Sequence, residues 1–297
     1  MTPEHLEPDL KSDIKSHARK TKAQVEARVE EAAPWLVRLA RFGYFCKGLM
    51  YLTIAFLAIR GALHLGNNQT DPRGALDYLG RNTASDALLI TLAVGLVGYS
   101  IWQLIRAFVD PEQQGHKAKG MMKRIGYGIS GIAYLTLAWA ALRVSWLEDR
   151  VSNPQSEEQW VARIFEWPAG RELVAVVGVV FLAVALNQLY VAIRASFMKR
   201  IKSWHLKPQE QALVVGIGRI GIAARGLVAG MVGWLLLRAA WYVDASEAGG
   251  MSEALRNFEK APGGAITFLM IAIGMLLYGL YAWIQARYRK IPIGQHD

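Results

Sequence analysis

Apolar residues along the chain fall into six blocks, near residues 42–63, 87–109, 125–146, 173–195, 213–237 and 265–286. Each block holds about 20 residues, which as a helix spans the roughly 30 Å hydrocarbon core of a bilayer. The stretch 88–105, LLITLAVGLVGYSIWQLI, contains no charged residue, whereas a surface helix of a soluble protein would show a polar face. The pattern predicts an all-α membrane protein with six transmembrane helices.

Charged residues alternate between the loops that join these blocks. Residues 106–124 hold five Lys or Arg against two acidic residues, and residues 194–225 hold seven against one. The segments 60–86, 143–172 and 238–260 are neutral or acidic. Because basic loops stay in the cytoplasm, we expect both termini there. The net charge of +10 then reflects topology and contact with anionic lipids, and no nucleic-acid partner is expected.

The chain divides into a charged N-terminal segment, three repeats and a tail. Residues 1–34 lack the apolar core of a secretory signal, and Pro34 separates them from the first span. We expect a solvated or surface-lying cytoplasmic helix there, with a partner-binding helix as the alternative. The remaining boundaries are 35–112, 113–203 and 204–290 for the repeats, and 291–297 for a cytoplasmic tail.

The repeats are visible in the odd-numbered spans. LARFGYFCKGLMY (39–51) and MKRIGYGISGIAY (122–134) share Arg, Gly, Tyr, Gly and Tyr at the same offsets. GIGRIGIAARGLVA (216–229) is a weaker third copy, in which Ile222 and Ala229 replace the tyrosines. Since each unit holds two spans, all units enter the membrane in the same sense. We predict three parallel two-helix repeats with pseudo-threefold symmetry about the membrane normal.

The even-numbered spans correspond as well. Gly95 and Tyr99 align with Gly274 and Tyr278, and Arg106 aligns with Arg194 if the second repeat contains a small insertion.

These phrases, together with ALDYL (75–79) and GLVGYSIWQLIRAF (95–108), resemble the DUF1206 family. Its members are uncharacterised bacterial membrane proteins, usually with three tandem copies of a two-helix domain. The resemblance covers about residues 36–290 and departs from the family pattern at the missing tyrosines of the third repeat. It implies six spans in the bacterial inner membrane, and it implies no activity.

Small residues and tyrosines share one face of each odd-numbered span, within an arc of about 80° at 100° per residue. One interpretation is close packing, in which small residues let helices approach and tyrosine hydroxyls bond across the contact. The other is an axial cavity floored by Arg41, Arg124 and Arg219, which would bind a lipid headgroup or another anion. The candidate residues of the stripe are Tyr44, Gly48, Tyr51, Tyr127, Gly131, Tyr134, Gly226 and Gly233.

Lys47 and Arg225 occupy the same repeat position, which Ser130 fills in the second repeat. We expect both cations about one turn inside the membrane boundary, where they either snorkel to headgroups or contribute to an anion site. The polar residues of the even-numbered spans are Gln103, Asn187 and Gln188. They favour interhelical hydrogen bonds, with a transport path as the alternative.

Signs of enzyme chemistry are missing from the sequence. Cys46 is the single cysteine, the six histidines are scattered, and the predicted spans hold no carboxylate. The GxGxxG of residues 216–221 begins a membrane helix, whereas a dinucleotide fingerprint must follow a strand. We therefore predict no catalytic, cofactor or metal site, and a protein that is not an enzyme.

Two functions are consistent with this pattern. The first is a structural or lipid-interacting bundle, or a subunit of a membrane assembly, with anionic lipids as partners and a membrane protein as a further candidate partner. The alternative is a small transporter or channel with an axial cavity lined by the odd-numbered helices. A continuous cavity would favour transport, and an interlocked core of Gly and Ala would favour the first function.

Overall fold

A computed structural model describes residues 33–63, 72–82, 86–115, 117–147, 156–260 and 264–291. Nearly all of the predicted N-terminal segment 1–34 and of the tail 291–297 lies outside these residues. Within them the α-helices are α1 (Ala33–Ala62), α2 (Pro72–Asn82), α3 (Asp86–Phe108), α4 (Ala118–Leu147), α5 (Ser156–Phe165), α6 (Gly170–Arg194), α7 (Pro208–Tyr242), α8 (Met251–Lys260) and α9 (Gly264–Tyr288).

Six of these helices are long and apolar enough to cross a membrane, which confirms the six predicted spans. Their spans are Pro34–Ala62, Ala87–Phe108, Gly120–Trp146, Gly170–Arg194, Pro208–Tyr242 and Ile266–Tyr288. The short helices α2, α5 and α8 lie between the two spans of each unit. The protein is thus an all-α membrane protein of three two-helix units.

The spans pack side by side in the order α4, α3, α1, α9, α7 and α6. This order would be a ring if α4 and α6, the two spans of the second repeat, also packed together. Among the described residues these two helices share no extended contact. We name the space between them the repeat 2 gap. Since one of three equivalent interfaces is open, the pseudo-threefold symmetry stays a prediction.

Glycines explain why the first and third repeats are closed. A Cβ at Gly43 would come within 2.6 Å of the backbone nitrogen of Tyr99, and a Cβ at Gly221 equally close to that of Tyr278. Only glycine lets the paired helices approach so closely. Gly126 holds the same position in the second repeat, and a Cβ there would meet nothing within 4 Å.

The glycines of the predicted stripe lie between neighbouring repeats. A side chain at Gly48 would strike Trp283 of α9, one at Gly131 would press on Leu104 of α3, and Gly226 and Gly233 face α6. These four positions therefore serve helix packing and do not face an axis.

Candidate functional site

Lys47 lies near the middle of the first span, with its side chain turned into the bundle. It is only 4% exposed, and its Nζ donates a hydrogen bond of 2.9 Å to the hydroxyl of Tyr99. The same Nζ lies 4.7 Å from the ring centre of Tyr99 and 5.5 Å from those of Tyr134 and Tyr278. Lys47 lies 13 residues after the start of the first span at Pro34, and its buried side chain does not snorkel; its depth relative to the membrane boundary stays a prediction.

Arg225 reaches the same place from α7. It also lies at the middle of its span, and its Nη1 donates a hydrogen bond of 2.9 Å to the hydroxyl of Tyr278. Its guanidinium carbon lies 5.1 Å from the centre of that ring. Two cations that the sequence placed at one repeat position therefore share a tyrosine neighbour across two repeats.

Tyrosine rings connect these two cations. Tyr99 meets Tyr134 edge to face with ring centres 4.6 Å apart, and Tyr51 meets Tyr278 at the same distance. We name the whole arrangement the cation–tyrosine cluster; its members are Lys47, Arg225, Tyr51, Tyr99, Tyr134 and Tyr278. Tyr44 packs against it through the ring of Tyr99, with centres 5.0 Å apart.

The cluster carries positive charge without a carboxylate at its depth. Within the six spans, the acidic residues are Glu172 and Glu210, each in the first turn of its helix. A buried charge in a membrane is costly unless it is paired. Tyrosine faces and hydroxyl oxygens solvate the two cations, but they do not neutralise them.

A separate ion-pair network lies where α3 and α9 end and α4 begins. The carboxylate of Glu112, in the loop after α3, accepts hydrogen bonds from Arg106 at 2.9 Å and from Arg289 at 3.1 Å. The hydroxyl of Tyr127 is 3.4 Å from the same carboxylate. We name these four residues the Glu112 network. It links all three repeats, because Arg106 and Glu112 belong to the first, Tyr127 to the second and Arg289 to the third.

The charges of this network shift the pKa of Glu112. Burial alone would raise the pKa of its carboxyl, but the positive charges of Arg106 and Arg289 and the hydrogen bond from Arg106 lower it to about 2. Glu112 is therefore a carboxylate at any physiological pH. Glu112 could not be identified as a site residue from the sequence, since a glutamate in a polar loop gives no sign of Arg289, a partner 177 residues away.

The three predicted floor arginines have different surroundings. Arg124 donates hydrogen bonds to the carbonyl oxygens of Ala107 and Phe108, at 2.7 and 3.0 Å. Arg41 is partly buried, with its Nε lacking a hydrogen bond, and Arg219 is exposed. Of the five cations predicted for an anion site, Lys47 and Arg225 are the two that share a tyrosine neighbour.

The polar residues of the even-numbered spans also differ. Gln103 accepts a hydrogen bond of 2.7 Å from Arg106. Gln188 is partly buried and its Oε1 has no hydrogen-bond partner, whereas Asn187 is exposed, seven residues before α6 ends at Arg194. Asn187 thus places an amide on a helix face that no other described helix covers.

The fold and the cluster define a class of protein: a multi-pass helical membrane protein of three tandem units with a cationic, tyrosine-lined centre. The chain belongs to the family of the Domain of Unknown Function DUF1206, whose model matches residues 42–110, 125–195 and 220–289. This confirms the resemblance seen in the repeated phrases.

A bacterial relative covers almost the same length. The uncharacterised protein YxxB of Bacillus subtilis (strain 168) is 31% identical over 262 residues, which are 88% of this chain and 94% of the relative. No solved structure matches the chain. Neither the family nor this relative has an assigned activity, so the function is inferred from the geometry of the site.

Proposed function

We propose that this protein is a non-enzymatic, lipid-interacting protein of the bacterial inner membrane that binds an anionic ligand at the cation–tyrosine cluster. The main observation behind this proposal is the pair of mid-span cations, Lys47 and Arg225, which have no carboxylate at their depth. An anion between them would supply the missing negative charge and receive charge-assisted hydrogen bonds.

The hydrogen bonds within the cation–tyrosine cluster favour an anion over a cation as the ligand. The hydroxyl oxygens of Tyr99 and Tyr278 accept from Lys47 and Arg225. Each hydroxyl proton is thereby directed away from the cation, and a phenol can donate and accept at once. Both protons are available to an anionic oxygen, so the cluster offers two cations and two hydroxyl donors.

Binding can be tested with the full chain purified in a mild detergent. Native mass spectrometry is expected to show an acidic adduct on the wild type and on Lys199→Met, which removes an exposed charge. Lys47→Met and Arg225→Met are expected to lose the adduct. Both variants should still fold, because each removes the desolvation cost of a buried charge that no carboxylate pairs.

The proposal fails if the wild type carries no acidic adduct and its melting temperature does not respond to phosphatidylglycerol or to dodecanoate. It also fails if the Lys47→Met variant keeps the same adduct. Anion flux into liposomes that depends on Lys47 would instead support the transporter, the alternative function.

The Glu112 network favours binding over a continuous path. Arg106, Glu112 and Arg289 tie together the helix ends of the first and third repeats. Their contact lies beyond Tyr44, since the guanidinium carbon of Arg289 is 5.1 Å from that ring. A closed contact at this end suits a site that holds its ligand.

The same proposal places both termini in the cytoplasm, from the basic loops. A cysteine introduced at Trp160 in α5, in a Cys46→Ala background, is expected to react with a membrane-impermeant maleimide added outside intact cells. A cysteine at Lys199 should react only after the cells are opened. Both side chains are exposed, so the reverse labelling pattern would overturn the orientation.

A further inference from the structure

The repeat 2 gap departs from the pattern of the other two repeats. In the first and third repeats the two spans close on each other, Gly43 against Tyr99 and Gly221 against Tyr278. In the second repeat Gly126 meets nothing within 4 Å, and α4 and α6 share no extended contact among the described residues. The bundle is therefore open toward the lipid on this side.

The substitutions of the second repeat fall on the two walls of this gap. Ser130 stands where the other repeats have Lys47 and Arg225. Asn187 stands in the same relation to Arg194 as Tyr99 does to Arg106. The second repeat has therefore replaced both a cation and a tyrosine by smaller, uncharged polar residues.

The walls are suited to a hydrocarbon chain. Helical spacing puts Ser130 and Ala133 on the same side of α4 as Gly126, which makes a shallow wall of small residues. On the other side of the gap, α6 carries an exposed apolar stripe with Asn187 as its polar member; its residues are Val177, Val180, Val184 and Asn187. A groove of this kind fits an extended acyl chain.

The gap also leads to the cation–tyrosine cluster. Tyr134 belongs to α4 and contacts Tyr99 and Lys47, and it keeps some exposed surface, as Arg225 does. A Cβ at Gly226, next to Arg225, would lie 3.2 Å from the Cβ of Gln188 on α6. Of the two helices that border the gap, α4 thus contacts Lys47, and α6 packs on α7 one residue from Arg225.

We propose that a long-chain carboxylic acid binds here, with its acyl chain in the repeat 2 gap and its carboxylate between Lys47 and Arg225. This inference rests on the proposed function and names its ligand. The position of both cations at the middle of their helices favours a fatty acid over a phospholipid, because a carboxyl group crosses hydrocarbon in its neutral form, whereas a phosphodiester headgroup stays charged. The two cations then hold the acid ionised once it is bound.

Three probe molecules test separately whether the carboxylate and the acyl chain are needed for binding. Their binding is measured as a shift in the melting temperature of the full chain in nonionic detergent. Dodecanoate is expected to raise the melting temperature, because a ligand that binds only the folded state stabilises it. Acetate, with the same head, and dodecanol, with the same chain length, should have little effect. Lys47→Met should abolish the response to dodecanoate, and Lys199→Met should keep it.

Closing the gap provides the second arm of the test. Asn187→Tyr restores the residue that the other repeats have, and Ser130→Leu thickens the opposite wall. Each is expected to weaken dodecanoate binding by about tenfold or more. Val94→Tyr, at an exposed position on α3, adds the same ring away from the gap and should leave the affinity unchanged.

Each outcome has a separate meaning. If acetate stabilises the protein as well as dodecanoate does, or if both gap variants keep full affinity, the lateral acyl site is wrong and the anion site stands. A phospholipid as the acidic adduct in native mass spectrometry would overturn the choice of a fatty acid. If no anion of any kind binds, the proposed function fails first.

Discussion

Gly221→Ala will lower the melting temperature of the protein in detergent by several degrees, and Gly43→Ala will do the same. Each added methyl group would meet the backbone of a partner helix, at Tyr278 or at Tyr99, at 2.6 Å. Backbone cannot rotate away as a side chain can, so the two spans must separate. Overpacking of this kind costs about 1–3 kcal/mol, and sometimes more.

Gly126→Ala is the matched control, because it makes the same change at the same repeat position. Nothing lies within 4 Å of the added Cβ there, and alanine favours a helix over glycine by up to about 1 kcal/mol. We expect an unchanged or slightly higher melting temperature. Equal destabilisation by all three variants would contradict the open interface in the second repeat.

Loss of the Glu112 carboxylate is the other large expected effect. Glu112→Gln leaves Arg106 and Arg289 without their anion, although both side chains are only 4% exposed. Removing one partner of a buried ion pair typically costs about 3–5 kcal/mol. Thermal unfolding is expected to show a clear loss of stability. Glu210→Gln should have a much smaller effect, because the glutamine oxygen can still accept the hydrogen bond from the exposed backbone N–H of Lys207.

The same network predicts how stability depends on pH. The pKa of Glu112 falls from its ordinary value of 4.5 to about 2 on folding. Its contribution is therefore complete above pH 4.5 and disappears as the pH falls toward 2. Wild type should lose more stability over this range than Glu112→Gln does. Parallel acid profiles for the two proteins would show that the carboxylate is not held by the arginines in solution.

The spans could be predicted from the sequence because a bilayer imposes a length and a composition on every helix that crosses it. The start of the first helix could not be predicted from the apolar blocks. They predict a first block that begins near residue 42, after Arg41, but α1 already runs from Ala33 through apolar residues such as Leu36 and Val37. Two basic residues inside this long helix, Arg38 and Arg41, moved the apparent boundary by about two turns.

The members of the cation–tyrosine cluster were also within reach of the sequence, but the contacts between them were not. Lys47 and Arg225 were matched by the repeat, and so were Tyr99 and Tyr278, but nothing joined the two pairs. The even-numbered spans are apolar on all sides, so no polar face shows which way a tyrosine points. The direction follows from the contacts at Gly43 and Gly221, which belong to another helix.

The floor of three arginines and the repeat 2 gap show the limit of reasoning from symmetry. Equal positions in a repeat predict equal surroundings, yet Arg124 binds carbonyl groups of α3 while Arg219 is exposed. A missing contact between α4 and α6 leaves no motif, because packing partners are chosen across the whole chain. The repeat fixes which residues are comparable, and packing decides what each one touches.

The contact between the first and last spans sets an order on how the protein can be made. Gly48 of α1 packs against Trp283 of α9, and the indole nitrogen donates a hydrogen bond of 3.1 Å to the carbonyl oxygen of Phe45. While the ribosome is still adding the intervening residues, this face of α1 has no α9 to pack against. The cluster around Lys47 can therefore be assembled only after the last helix is inserted, and a chain released early lacks Tyr278 as well as this contact.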